Sequence, residues 1–123
     1  MPEANRERKS NAVKEMIEML NSQETSRFHV MLLKYYIDTE PYSTSALTVS
    51  QASTPNIHET PHGFECETFF PPDMLRPEEK DGKEVINGVV KVSLYVNLDD
   101  ILGIYAMVEN GQAIPLYSPV GSS

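Results

Sequence analysis

His58, His62 and Cys66 share one short window with Glu59 and Glu65, and imidazole, thiolate and carboxylate are the donors of a zinc or other transition-metal site. The spacing argues for less than the residue types do. Pro61 and Gly63 keep a helix from presenting both histidines on one face, and three ligands would need a fourth ligand or a water from elsewhere. Loop histidines that hold nothing are the commoner case, so no metal ligand is assigned and no cofactor is expected. A cysteine nucleophile is the second chemistry open to these residues, with His58 or His62 as base, but no activating motif surrounds Cys66. From Gly63 to Phe70 a period of two sets Phe64, Cys66, Thr68 and Phe70 against Glu65, Glu67 and Phe69. That turns the thiol inward, where packing is its role. Asp99 and Asp100 are adjacent, point about 100° apart on a helix, and serve better as charges in a first helical turn than as an acid–base pair. No GxGxxG, GxxxxGK(S/T) or GxSxG occurs, so phosphate cradles and the nucleophile elbow lack their usual marks. The chain reads as a protein that binds rather than an enzyme, with no catalytic residue assigned.

The elements that must carry these side chains begin with Val13, Met16, Ile17 and Leu20, which recur at helical spacing from Asn11 to Leu20 behind a cap at Ser10 or Asn11. This amphipathic helix would pack its stripe on a sheet or on its copy in a dimer. Phe28 to Ile37 reads as a strand buried on both faces, although Phe28, Met31, Leu32 and Tyr35 would also line a helix. Ala46 to Val49 and Gly63 to Phe70 are strands, and Arg76 to Lys83, charged and holding Pro77 and Gly82, is an exposed loop. Asn87-Gly88 between Glu84-Val85-Ile86 and Val89 to Val92 predicts a β-hairpin with a type I′ turn, its second arm running on to Val96. Leu98, Ile101, Leu102 and Tyr105 then fall at the spacing of a short helix near residues 98–106. Asn110-Gly111 predicts a second turn before a short apolar arm, Ala113 to Tyr117. The expected organisation is a flexible N-terminal tail over 1–10, a single α+β domain over 11–117 and a flexible C-terminal tail over 118–123.

With 123 residues, 40% hydrophobic and 23% charged, the chain has the balance of one globular core. No apolar run spans a bilayer, the N-terminus shows no secretory pattern, and a lone cysteine fits a reducing cytoplasm. A formal net charge of −8 argues against nucleic acid as partner, and the basic cluster Arg6, Arg8 and Lys9 reads as a solvated tail.

Val92 to Ala106, with its Val-Ser-Leu-Tyr-Val-Asn-Leu-Asp-Asp-Ile-Leu-Gly-Ile-Tyr-Ala run, followed by Glu109-Asn110-Gly111, resembles the stringent starvation protein B family of adaptors, which deliver ssrA-tagged peptides to the ClpX unfoldase. Met16 to Met31 is similar to the family in its order of helix, polar connection and apolar strand. The resemblance implies an Sm-like barrel of bent strands with a helix at one end, a homodimer formed through that helix, and a groove that takes an extended peptide. The dimer face would be Val13, Met16, Ile17 and Leu20. Adaptors of the family end in an acidic linker and a basic-hydrophobic segment that docks on the AAA+ unfoldase; Ile114 to Ser123 has no Lys or Arg, so such docking is not expected of it.

The leading expectation is therefore a cytoplasmic peptide- or protein-binding module, adaptor-like and concerned with regulated proteolysis. The strands Phe64 to Phe70 and Val89 to Val96 would wall the groove, with outward Phe69 and Tyr95 as its contacts. The alternative is a small acidic inhibitor or immunity-type protein that blocks a basic site on an enzyme. Neither nucleic acid nor membrane is expected as a partner.

Overall fold

A computed structural model describes residues 2–23, 25–108 and 110–119. Helix α1 (Pro2–Ser22) starts nine residues before the apolar stripe, so residues 2–10 are not the flexible tail the polar composition implies. Good helix formers fill this stretch, and its basic side chains have partners that no local pattern reveals. Arg6 Nη1 lies 3.2 Å from Asp99 Oδ1, Arg8 donates to the Ser118 carbonyl at 3.2 Å, and Arg8 and Lys9 both stand over the Tyr117 ring. Ala12, Val13, Met16 and Leu20 are buried within this one chain. Of the face expected to meet a second copy, Val13, Met16 and Leu20 are thus already covered by the chain's own sheets, while Ile17 is half-buried.

Among the described residues ten strands follow: β1 (Arg27–Leu32), β2 (Tyr35–Ile37), β3 (Glu40–Tyr42), β4 (Leu47–Ser50), β5 (His58–Thr60), β6 (Gly63–Phe70), β7 (Val85–Ile86), β8 (Val89–Asn97), β9 (Ile101–Met107) and β10 (Ala113–Tyr117). Between β6 and β7 lie a 3₁₀ turn (Pro72–Met74) and a single helical turn, α2 (Pro77–Lys80). The fold is α+β, with one antiparallel sheet ordered β10-β9-β1-β4 and a second ordered β3-β2-β8-β6-β5, to which β7 adds beside β8. The two sheets do not close into a barrel.

The β3–β4 and β4–β5 links cross between the sheets, and at two further corners a strand passes almost directly from one sheet to the other. The apolar run Phe28 to Ile37 breaks at Leu33 and Lys34, so β1 joins the first sheet and β2 the second. It alternates rather than being buried on both faces: Phe28, Val30 and Leu32 point in, while His29 and Met31 are half-buried. Opposite this break, β8 ends in a 3₁₀ turn (Leu98–Asp100) and continues as β9 in the first sheet. The short helix expected over 98–106 is therefore a turn and a strand. A helix would have buried Leu102 with Ile101, whereas Leu102 is exposed and Ile101 is buried, the alternation of a strand. The Leu33 N–H donates to the Asp100 carbonyl at 2.8 Å and ties the two corners together.

Asn87 and Gly88 form the predicted two-residue hairpin, with φ of 54° and 81° and Ile86 opposite Val89. The second predicted turn also holds: Gly111 has φ 85°, and β10 pairs back onto β9 from Ala113. Glu109 and residues 120–123 of the expected C-terminal tail lie outside the described residues. Among the described residues, no helix is long and apolar enough to cross a membrane.

Candidate functional site

The window that could do chemistry is pulled apart by the fold. Sequence reasoning passed over one match in it: His58-Glu59-Thr60-Pro61-His62 fits HExxH, a pattern that binds zinc when both histidines share a helical face. Here His58 to Thr60 is β5, so that face does not exist. His58 faces solvent opposite Glu65, His62 Nδ1 lies 3.5 Å from Arg6 Nη2, and Cys66 points into the core. Among the described residues no group of three His, Cys, Asp or Glu is placed to hold a metal ion. Burial, with the Glu65 and Glu67 charges adding, pushes the Cys66 thiol up to about 12, so it stays protonated and non-nucleophilic near neutral pH.

His58 has a different use. Its Nδ1 meets the Asn56 carbonyl at 3.0 Å and its Nε2 meets Glu65 Oε1 at 2.8 Å. Both partners are acceptors, so both bonds form together only on the doubly protonated ring. The Asn56 carbonyl above all holds the His58 pKa above its ordinary value; burial opposes it, and Glu65 adds to the rise after that. The sign follows. The pair's contribution is complete below the unfolded-state value near 6.5 and is lost as pH rises through the raised folded value. The ring is largely exposed, so this is worth at most about 1 kcal/mol after solvent screening. An NMR titration should give His58 a midpoint above that of an unstructured histidine. Glu65→Gln should lower it without returning it to the ordinary value, because the Asn56 carbonyl remains.

The other candidate residues lie on the outer face of the second sheet. β6 and β8 pair side by side from Gly63 with Asn97 to Phe70 with Val90, so they form a floor and not the two walls of a groove. Phe69 and Tyr95 do face outward, at 41% and 37% exposure. Around Phe69 is a groove of about 560 Å³ lined by Lys83, Glu84, Ile86, Asn87, Val89 and Lys91. Tyr95 shares a smaller cavity of about 270 Å³ with Tyr36, Thr39 and Asn97.

The segment between β6 and β7 is held against the β2–β3 hairpin, which fixes one rim of the larger groove. Lys83 Nζ lies 2.6 Å from Asp38 Oδ2, and the Arg76 guanidinium stacks over Tyr42 with Glu40 3.6 Å away. Asp38 and Thr39 form the turn of that hairpin with φ of 48° and 79°. A β-branched residue pays for such a φ, and Thr39 does so at the edge of the Tyr95 cavity. Lys91 on the groove floor reaches Glu67 at 3.3 Å; the Asn56 amide, and after it Lys91, holds the Glu67 carboxyl below its usual range.

Of the site residues read from the sequence, the structure puts Phe69 and Tyr95 on one face at opposite ends. Ile86, Lys83 and Lys91, which complete the larger groove, were missed. The exposure of Ile86 on a hairpin arm was the available clue, since an aliphatic facing water beside a turn has no core to serve. No family model, curated protein or solved structure matches this chain.

Proposed function

We propose that this chain is a peptide- or protein-binding module of the adaptor type, acting in the cytoplasm and holding an extended segment on the outer face of its second sheet. The observation that carries the reading is the pair of cavities there, with Phe69, Ile86 and Tyr95 exposed around them. Large apolar side chains gathered at a concave surface mark binding faces more often than ordinary surface. The two strand runs that cross between sheets, β1 into β2 and β8 into β9, support kinship with an Sm-like bent-strand architecture in open form. A homodimer belongs to the same reading; light scattering tests it, and the interface would be a surface other than the Val13, Met16 and Leu20 face. Delivery to an AAA+ unfoldase is the family's use of such a module, and a pull-down that recovers an unfoldase or tagged peptides supports it.

The test of binding is fluorescence anisotropy with an extended peptide library. Phe69→Ser and Tyr95→Ser should each weaken the best binder about tenfold, or about 1.4 kcal/mol. Unchanged affinity in both variants would place binding elsewhere. The formal charge of −8 favours a second reading, an inhibitor that covers a basic site on an enzyme. Binding that collapses between low and physiological salt would select it, since a groove held mainly by apolar contacts is only weakly screened.

A further inference from the structure

We infer that this face is a two-pocket ruler: it takes an extended peptide with large apolar side chains four residues apart and a carboxylate at the Phe69 end. The inference rests on the peptide-binding reading above and adds spacing and charge to it.

Phe69 stands opposite Lys91 on the β6–β8 ladder, and Tyr95 lies four residues further along β8 on the same outward face. At roughly 3.3 Å per residue the two positions are about 13 Å apart. An extended peptide has the same rise and returns a side chain to the same side every second residue. Side chains at i and i+4 therefore point down together at the separation of Phe69 and Tyr95, the two aromatics that edge the cavities, while i+3 points away. The residue between them passes over Glu67 and Ser93, which are opposite each other.

Charge sets the polarity. Lys83 and Lys91 both line the Phe69 groove, where among the described residues Glu84 is the one carboxylate, and no charged described residue lines the Tyr95 cavity. Lys34 is near that second end but lies over the Tyr36 ring, 5.8 Å from its centroid, outside the lining. Asp38 and Glu67 each engage one lysine, yet an ammonium has three donors, so both retain capacity for an incoming carboxylate. An acidic residue next to the apolar side chain in the Phe69 groove is the complement.

Three labelled peptides on a serine and threonine background test this by anisotropy, each made in both chain orders. The first has aspartate beside leucine and tyrosine four residues beyond the leucine; the second moves the tyrosine to three; the third replaces aspartate by lysine. The first should bind at least tenfold more tightly than either of the others. Ile86→Ser and Tyr95→Ser, both at exposed positions, should each reduce that affinity about tenfold. Equal affinity for the first and second peptides overturns the spacing, and equal affinity for the first and third overturns the charge rule, with peptide binding itself intact in both cases. Failure of all three at millimolar concentration, while library peptides of other patterns bind this face, also overturns the ruler. Failure of every peptide overturns the binding reading.

Discussion

Met16→Asp is expected to cost about 5 kcal/mol or more and to leave the chain largely unfolded at room temperature, because a small domain holds only about 5–15 kcal/mol in total. Met16 is fully buried on the face of α1 that also carries Val13 and Leu20. The helix packs there against β5, β6, β9, β10 and the Leu98–Asp100 turn. Removing a buried aliphatic side chain costs about 2–5 kcal/mol, and the unpaired carboxylate adds its desolvation. Since the burial lies within one chain, that cost should appear at every protein concentration, whereas a face that closed a dimer would be felt only where the dimer forms. A Met16→Asp chain within about 1 kcal/mol of wild type would show that the helix is detachable from the fold.

Gly63→Ala should cost about 3 kcal/mol, the upper end of the usual range for overpacking. A Cβ at Gly63 would stand 1.9 Å from the Val96 carbonyl oxygen and 2.9 Å from its carbon. These are backbone atoms of the neighbouring strand, which cannot swing aside as a side-chain tip can. The contact sits where the Leu98 N–H donates to the His62 carbonyl at 2.8 Å and β8 leaves the second sheet. Gly111→Ala is the comparison: among the described residues nothing crowds its Cβ, and its φ of 85° opposes the change, for about 1 kcal/mol. Urea unfolding of both variants, with unchanged slopes, checks the ordering. Equal losses would mean that the strands part without cost at this point.

What could be read from the chain was what neighbours in sequence decide. Asn87-Gly88 needs only its own φ angles, and the Phe64 to Phe70 alternation only its own pleat; both stand, with Cys66 inward and Phe69 outward. The Leu98 to Tyr105 stretch was misread because its apolar spacing fits a helix as well as a strand, and the choice belongs to β1 and β10, which pair on either side of it. The stop at Leu33 and Lys34 carries no Pro or Gly, so nothing local announces that one apolar run serves two sheets. The start of α1 was hidden in the same way, since Arg6 and Arg8 find Asp99 and the Ser118 carbonyl from the far end of the chain. The candidate site was legible as two outward aromatics. Its depth was not, because the groove depends on where Lys83 is pinned by Asp38.

The two sheet-to-sheet corners also set a timetable for folding during synthesis. β1 is flanked by β4 and β9, and β2 reaches its sheet through β8, so the N-terminal third is completed by segments made near the end. A nascent chain halted after Gly88 has α1 and the apolar side of β1 but not β9, which pairs with β1 and packs on α1. Pairings of such long sequence separation are slow to form and leave strand edges open while they wait. A ribosome-bound intermediate of this protein would therefore expose Phe28, Val30 and Leu32 until β9 emerges, a natural substrate for a holding chaperone.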